Sequence, residues 1–328
     1  MKVLEIQYKE ITNYFSKFLK RQEEVILEDG IFYYQFGILD LKNQELVPNY
    51  VSLRDNSLLH AIGRRESPSP NDIRDSLLAS KCLPFKGLEK LFKFIDLYME
   101  VTERAPLALG VDTNVILNGL INLIREKVRG SEWKGSLEIA IPTVVLQEVN
   151  RLLLEKYPDK INAPLKRKDI IKRLPSKMSR LAIIGIGNIQ KLRSQVQVEM
   201  IGRPLSPNVF LSSSAGRYFN DFVVREQIRD FARKTGKPTI HISADRDSVN
   251  MARAEGLPSI LIELPPYPKR KIAIGSISDF LYSLALLRGI IEIRDKNQNL
   301  LAEIRTIWHG KHDHQFFEHI VQLHVIEE

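Results

Sequence analysis

Leu107-Ala108-Leu109-Gly110-Val111-Asp112-Thr113-Asn114-Val115-Ile116-Leu117 is the stretch on which the fold turns. Its first five residues are small or apolar, as a strand buried on both faces requires, and the apolar run stops at Asp112. From Val115 the spacing predicts a helix reaching about Arg125. The same order repeats downstream. Ser136 to Ile141 reads as a second strand, and Pro142 sits where a helix to about Tyr157 would begin. Asn220 is placed to cap a helix from Asp221 to Lys234 that Gly236 closes. Pro238 to Ser243 reads as a third strand, Ser248 to Ala254 as a helix and Ser259 to Ile262 as a fourth strand. Strands alternating with helices predict an α/β fold around a parallel sheet.

The rest of the chain reads differently. Glu24 to Leu39 predicts a β-hairpin: Val25, Ile26 and Leu27, a turn at Asp29-Gly30, then Ile31 to Tyr34. Ser67 to Pro70 is a loop after which Asn71-Asp72 would cap a short helix, and Leu88 to Thr102 has helical spacing. Pro265-Pro266-Tyr267-Pro268 reads as a semi-rigid linker. Beyond it come a helix over Ile277 to Leu287 and strands over Ile290 to Ile293 and Leu300 to Trp308, turning at Asp295-Lys296-Asn297. This predicts three domains: an N-terminal α+β domain over 1–105, the α/β domain over 106–265, and a small C-terminal accessory domain over 266–328.

Lone Cys82 rules out an intramolecular disulfide and a cysteine-built zinc site. No stretch approaches the roughly 18–20 apolar residues of a membrane span, and the early charges at Lys2 and Glu5 do not suit a secretory signal. The expectation is a cytoplasmic protein with no membrane partner. A net charge of +8 favours polyanions such as nucleic acid.

In a parallel α/β sheet, ligands collect beyond the carboxyl ends of the strands. Asp112 ends the first strand, Asp245 and Asp247 follow the third, Glu148 lies within two turns of its helix start, and Asp221 lies within the first turn of its own. If those ends share one crevice, at least four carboxylates converge. Close carboxylates repel, and a hard divalent cation such as Mg²⁺ or Mn²⁺ relieves the conflict with oxygen ligands alone. Each acid also has a plainer reading: Asp112 as a helix cap, Glu148 as a solvated helix residue, Asp221 as a dipole-complementing acid, Asp245 and Asp247 as turn formers.

Leu109 to Leu117 resembles the opening motif of PIN-domain nucleases, an apolar strand, then Asp-Thr-Asn, then a helix. Ile141-Pro142-Thr143-Val144-Val145-Leu146-Gln147-Glu148-Val149 resembles the second motif, whose helix carries an essential Glu. Ile242-Ser243-Ala244-Asp245-Arg246-Asp247 is similar to the late motif, usually Thr-Asn-Asp-x-Asp, with Ser243 for Thr and Ala244 for Asn. The resemblance covers residues 106–265 and says nothing of either flank. It implies a PIN-like sheet flanked by helices, with Asp112, Glu148, Asp221 and Asp245 as catalytic, metal-binding carboxylates. Asp247 would be an accessory acid, and Asn114 and Ser243 would orient ligands or phosphate. The long gap after Glu148 leaves Glu226 or Asp230 as alternatives to Asp221. The implied activity is a Mg²⁺- or Mn²⁺-dependent endoribonuclease on single-stranded RNA, in processing or decay, leaving a 5′-phosphate and a 3′-hydroxyl. A structure-specific DNA nuclease and a non-catalytic scaffold binding RNA or protein are the rivals. PIN domains often pair, so a homodimer is also an expectation.

Between the second and third acids, over about 159–215, lies a basic insert. Lys166, Arg167, Lys168, Lys172, Arg173, Lys177 and Arg180, with Lys191 and Arg193 beyond, are broken only by Asp169. Phosphates attract such a patch, so the first seven are read as a nucleic-acid-binding arm, the alternative being a solvated helical face. Ser206 to Gly216 reads as a mobile loop able to contact substrate. Five of seven histidines (His309, His312, His314, His319 and His324) crowd the C-terminus without a diagnostic metal spacing. Tyr33, Tyr34 and Phe36 suit core packing better than base stacking.

Overall fold

The computed structural model describes residues 1–19, 22–52, 66–133, 135–156, 165–167, 175–206 and 215–326. In chain order these form β1 (Lys2–Gln7), α1 (Ile11–Phe18), β2 (Glu24–Asp29), β3 (Tyr34–Asp40), β4 (Glu45–Ser52), α2 (Pro70–Ala79) and α3 (Leu88–Val101). There follow β5 (Leu107–Val111), α4 (Thr113–Leu117), α5 (Leu120–Arg129), β6 (Leu137–Pro142), α6 (Thr143–Leu153), α7 (Lys177–Leu192) and β7 (Gln197–Ile201). The chain continues through α8 (Ala215–Thr235), β8 (Thr239–Ser243), α9 (Arg246–Ala254), β9 (Ser259–Leu261) and β10 (Ile272–Ala273). It ends with α10 (Ile277–Arg288), β11 (Ile290–Arg294), β12 (Leu300–Arg305), α11 (Asp313–Phe317) and β13 (Ile320–Val325). No helix among the described residues is long and apolar enough to cross a membrane.

Two compact units result, and they replace the three expected domains. One comprises 1–84, 154–181 and 265–328, the other 85–153 and 182–264. The expected separation of 1–105 from 266–328 fails because their strands share one antiparallel sheet in the order β1-β13-β12-β11-β2-β3-β4-β10. Backbone pairing between chain ends leaves no local signature. Helix α10 is buried along its whole length and packs on α2 and on β11 and β12. Its C-terminal carbonyls are satisfied by Arg180, which donates to Leu286 O at 2.8 Å and to Leu287 O.

Several local expectations shift. The 24–39 hairpin forms, but Asp29 Oδ1 accepts from the N–H groups of Ile31 and Phe32 at 2.8 and 2.7 Å, widening the turn and delaying β3 to Tyr34. Ser69, not Asn71 or Asp72, caps α2, while the Asp72 carboxylate accepts from the Ser69 N–H at 2.8 Å. Tyr34 and Phe36 are core residues.

The second unit holds a wholly parallel sheet in the order β7-β6-β5-β8-β9. Strand β7 escaped the sequence reading, its mostly partial burial differing from the continuous burial of β5, β6 and β8. The single helix expected over 115–125 is two, because Gly119 at φ +76° breaks it in a conformation that L-residues avoid. Pro142 ends β6 instead of opening α6.

Candidate active site

Chain order β5, β6, β7, β8, β9 against spatial order β7-β6-β5-β8-β9 places the topological switch between β5 and β8. Connections leave these two strands toward opposite sides, opening a crevice beyond their carboxyl ends. Asp112 and Asp245 are there by construction. Val111 is in register with Ile242, so the next residues, Asp112 and Ser243, are neighbours across the strands. The Ser243 hydroxyl donates to Asp112 Oδ2 and accepts from the Asp245 N–H at 2.9 Å.

Asp112 caps α4 through Oδ1, which accepts from the Val115 N–H at 2.9 Å. The cap reading is therefore correct, but incomplete. Burial pushes its carboxyl up to about 6 despite the hydrogen bonds from Ser243 and Val115, and the charges of Asp221 and Asp245 push it further the same way. The last two acids therefore share the field of the first. Asp245 caps α9 in turn, accepting from the Asp247 N–H at 2.8 Å.

Glu148, half-buried in the second turn of α6, is held from two directions. The Thr113 hydroxyl donates to Oε2, and Asn220 Nδ2 donates to Oε1 at 3.1 Å. Each of those donors adjoins another acid, Thr113 following Asp112 and Asn220 preceding Asp221. Asp112, Glu148 and Asp221 are thus linked through one hydroxyl and one amide, neither of which the sequence reading assigned to the site, while Ser243 links Asp112 to Asp245.

Asn220 was expected to cap a helix, but α8 starts at Ala215, so Asn220 and Asp221 lie in its second turn. What seats that helix is Gly110. A Cβ there would stand 2.7 Å from Ile228 of α8, and the bare backbone lets the helix approach the strand. Of the alternatives for the third acid, Glu226 is ion-paired with Arg229, and Asp230 is exposed, 3.8 Å from Arg233.

Other expected contributors are less engaged. Asn114 and Asp247 are exposed, and neither side chain makes a hydrogen bond among the described residues. No three His, Cys, Asp or Glu side chains among the described residues form a ready-made metal cage. The C-terminal histidines are scattered: His312 and His314 stack on each other, His319 bonds Tyr282, and His324 is buried.

The donor set nevertheless suits a hard divalent cation. It is all oxygen, it includes one carboxyl whose proton affinity is raised by burial and then by two neighbouring acids, and Asn220 Oδ1 is buried with no hydrogen-bond partner among the described residues.

The basic arm is corrected. Lys166 Nζ lies 2.7 Å from Glu28 and 2.8 Å from Glu292, and Arg167 pairs with Glu303. Lys177 lies 2.5 Å from Asp72, and fully buried Arg180 caps α10. These four cations serve carboxylates and carbonyls of the antiparallel unit and are not available to phosphates. Charge density along a chain cannot show which partners lie opposite. Lys168, Lys172 and Arg173 fall outside the described residues, as does the core of the expected loop, 207–214.

Compared with known families, residues 111–263 match the model of the PIN domain. No curated protein matches the chain. Among solved structures, a domain of a functionally unknown protein from Methanocaldococcus jannaschii DSM 2661 is similar, with 20% identity and a TM-score of 0.36 over 50% of this chain and 96% of that one.

Proposed function

The chain carries a PIN domain at residues 111–263 with flanking regions, and from this we propose that it is a divalent-metal-dependent endoribonuclease acting on single-stranded RNA, in processing or decay. PIN domains are typically nucleases and generally use divalent metals. The observation that carries the reading is Asp112: a buried carboxyl at the switch-point crevice, oriented by Ser243 and raised toward 6 by burial and two neighbouring acids. A carboxylate in that position is costly unless a cation shares it.

Asp112, Glu148, Asp221 and Asp245 are the residues that would hold Mg²⁺ or Mn²⁺. Bound there, such an ion would activate a water and stabilise the leaving oxygen of a phosphodiester. The chain's own part is positional. Ser243 turns Asp112 into the crevice, Thr113 and Asn220 keep Glu148 facing it, and the α9 N-terminus keeps Asp245 in place. The charge of +8 favours a polyanionic substrate, although the four cations named above do not contribute to a groove. The lone cysteine suits a reducing, cytoplasmic setting.

A labelled panel of single-stranded RNA, duplex RNA and branched DNA, assayed with Mn²⁺ and with chelator, tests the reading. Cleavage of the single-stranded RNA that needs Mn²⁺ and disappears in Asp112→Asn is the expected result. Preference for branched DNA would make it a structure-specific DNA nuclease. Binding without cutting on every substrate would make it a scaffold.

A further inference from the structure

Asn220 occupies a position that cap formation does not explain. It lies inside α8, its side chain is 8% exposed, and its amide is half used. Nδ2 donates to Glu148 Oε1 at 3.1 Å, while Oδ1 is buried with no partner among the described residues. The orientation is chemically fixed, because a carboxylate only accepts hydrogen bonds and must face the amide nitrogen. The oxygen, on the same carbon, therefore stays beside Glu148 and one residue from Asp221. Leaving a buried amide oxygen unsatisfied is costly, because nothing offsets the loss of its hydration. A fold that wanted only a tether for Glu148 could use a donor with no acceptor.

We propose that Asn220 is a fifth member of the cation site, its Nδ2 fixing Glu148 and its Oδ1 serving as a neutral oxygen donor toward the cation. The inference rests on the metal-dependent reading above and deepens it. A neutral donor is what the set lacks. Asp112, Glu148, Asp221 and Asp245 carry up to four negative charges, and a further carboxylate would add repulsion when the ion is absent. An amide oxygen adds a hard ligand without adding charge. It also couples two ligand-bearing helices, since one side chain on α8 bonds the acid of α6.

The test is Mn²⁺ uptake by the full chain, followed through the electron paramagnetic resonance signal of free Mn²⁺, which does not depend on turnover. Asn220→Leu keeps the bulk and removes both polar atoms, and its Kd for Mn²⁺ is expected to rise about tenfold or more. Asn220→Asp keeps an oxygen and loses the N–H, and is expected to bind within about threefold of the wild type, or more tightly. Circular dichroism checks folding, and Asn220→Ala answers the same question if the leucine variant does not fold. Uptake by Asn220→Leu equal to that of a binding wild type overturns the assignment alone, as does an aspartate variant that loses as much as the leucine one. A wild type that takes up no Mn²⁺ overturns the nuclease reading and this inference with it.

Discussion

Glu28, Glu292 and Glu303 stand side by side across β2, β11 and β12 of the antiparallel unit, in register and at most 3% exposed. Lys166, Arg167, Arg294 and Arg305 lie against them. Deeper in the same unit, Arg288 lies 2.5 Å from Asp29, and Lys177 2.5 Å from Asp72. In the PIN unit, Asp112 is nearly as buried, yet its partners are a hydroxyl and a backbone N–H, and no lysine or arginine among the described residues pairs with it or with Glu148 or Asp245. The antiparallel unit neutralises these buried carboxylates with its own cations, whereas buried Asp112 has no lysine or arginine partner among the described residues. The first arrangement is a structural solution, the second a demand for something from outside. Removing charge should therefore have opposite consequences in the two places.

The largest effect belongs to Asp112→Asn. Cleavage of single-stranded RNA is expected to fall on the order of 10³-fold or more. The metal-free protein should nonetheless unfold at higher urea concentration than the wild type near pH 7, because a repelled, buried charge has gone. An inactive variant that is also destabilised would mean Asp112 is structural, and the contrast would fail.

Lys166→Met is the mirror experiment. It strands Glu28 and Glu292 without their shared cation, and breaking a buried pair from one side costs about 3–5 kcal/mol. Urea unfolding should show that loss. A change within error would mean that Arg294 and Arg167 already suffice, and that the antiparallel unit tolerates bare carboxylates as the crevice does.

pH separates the two regions by sign. Asp112 is raised in the folded state, so the metal-free fold binds the extra proton; the stability it contributes is full below the ordinary carboxylate range and is lost as pH rises through about 6. The loss is about 3 kcal/mol. Asp72 goes the other way. Burial pushes it up, but the charges of Lys177 and Arg288 and hydrogen bonds from Lys177 and Ser69 outweigh that and hold it below the ordinary range. Its contribution is present above that range and is lost only as pH falls through its lowered value. In chelator from pH 4 to 8, the stability of the wild type relative to Asp112→Asn should fall as pH rises through about 6. That difference cancels the opposite contributions of His241 and His324, whose pKa values burial lowers to about 4.

The contrast also explains what could be read from the chain. Continuous apolar runs ending in an acid, as at Leu107 to Asp112, carry their own strand and crevice signal, so the parallel sheet and its acids were legible in one dimension. The antiparallel sheet was not, because β1 pairs with β13 across the length of the chain. Lys166 and Arg167 looked like a phosphate arm for the same reason: their glutamates lie 138 and 126 positions away for Lys166, beyond any local pattern. Thr113 and Asn220 were missed because a hydroxyl and an amide next to acids look like ordinary capping residues until Glu148 is seen between them.

Ser243→Ala removes the hydroxyl that fixes Asp112 while leaving the acids in place. Activity should fall about tenfold, as losses of supporting hydrogen bonds at metal sites do. Ser243→Thr keeps the hydroxyl and should stay near wild type. Equal losses in both would show that bulk beside β5, not the hydrogen bond, is what matters.

The smallest effect is expected from Asp247→Asn, and it asks whether the crevice works by the number of its acids or by their placement. Asp247 follows Asp245 by two residues and was read as an accessory acid, but it is exposed, its backbone N–H serves the Asp245 carboxylate, and its side chain bonds nothing among the described residues. An exposed charge in water interacts weakly beyond hydrogen-bond range, and the asparagine keeps the N–H that Asp245 needs. A change in kcat/KM within about threefold follows. A loss approaching that of Asp112→Asn would put Asp247 among the ligands. The distinction between the units would then rest on the count of uncompensated acids, with burial and orientation secondary.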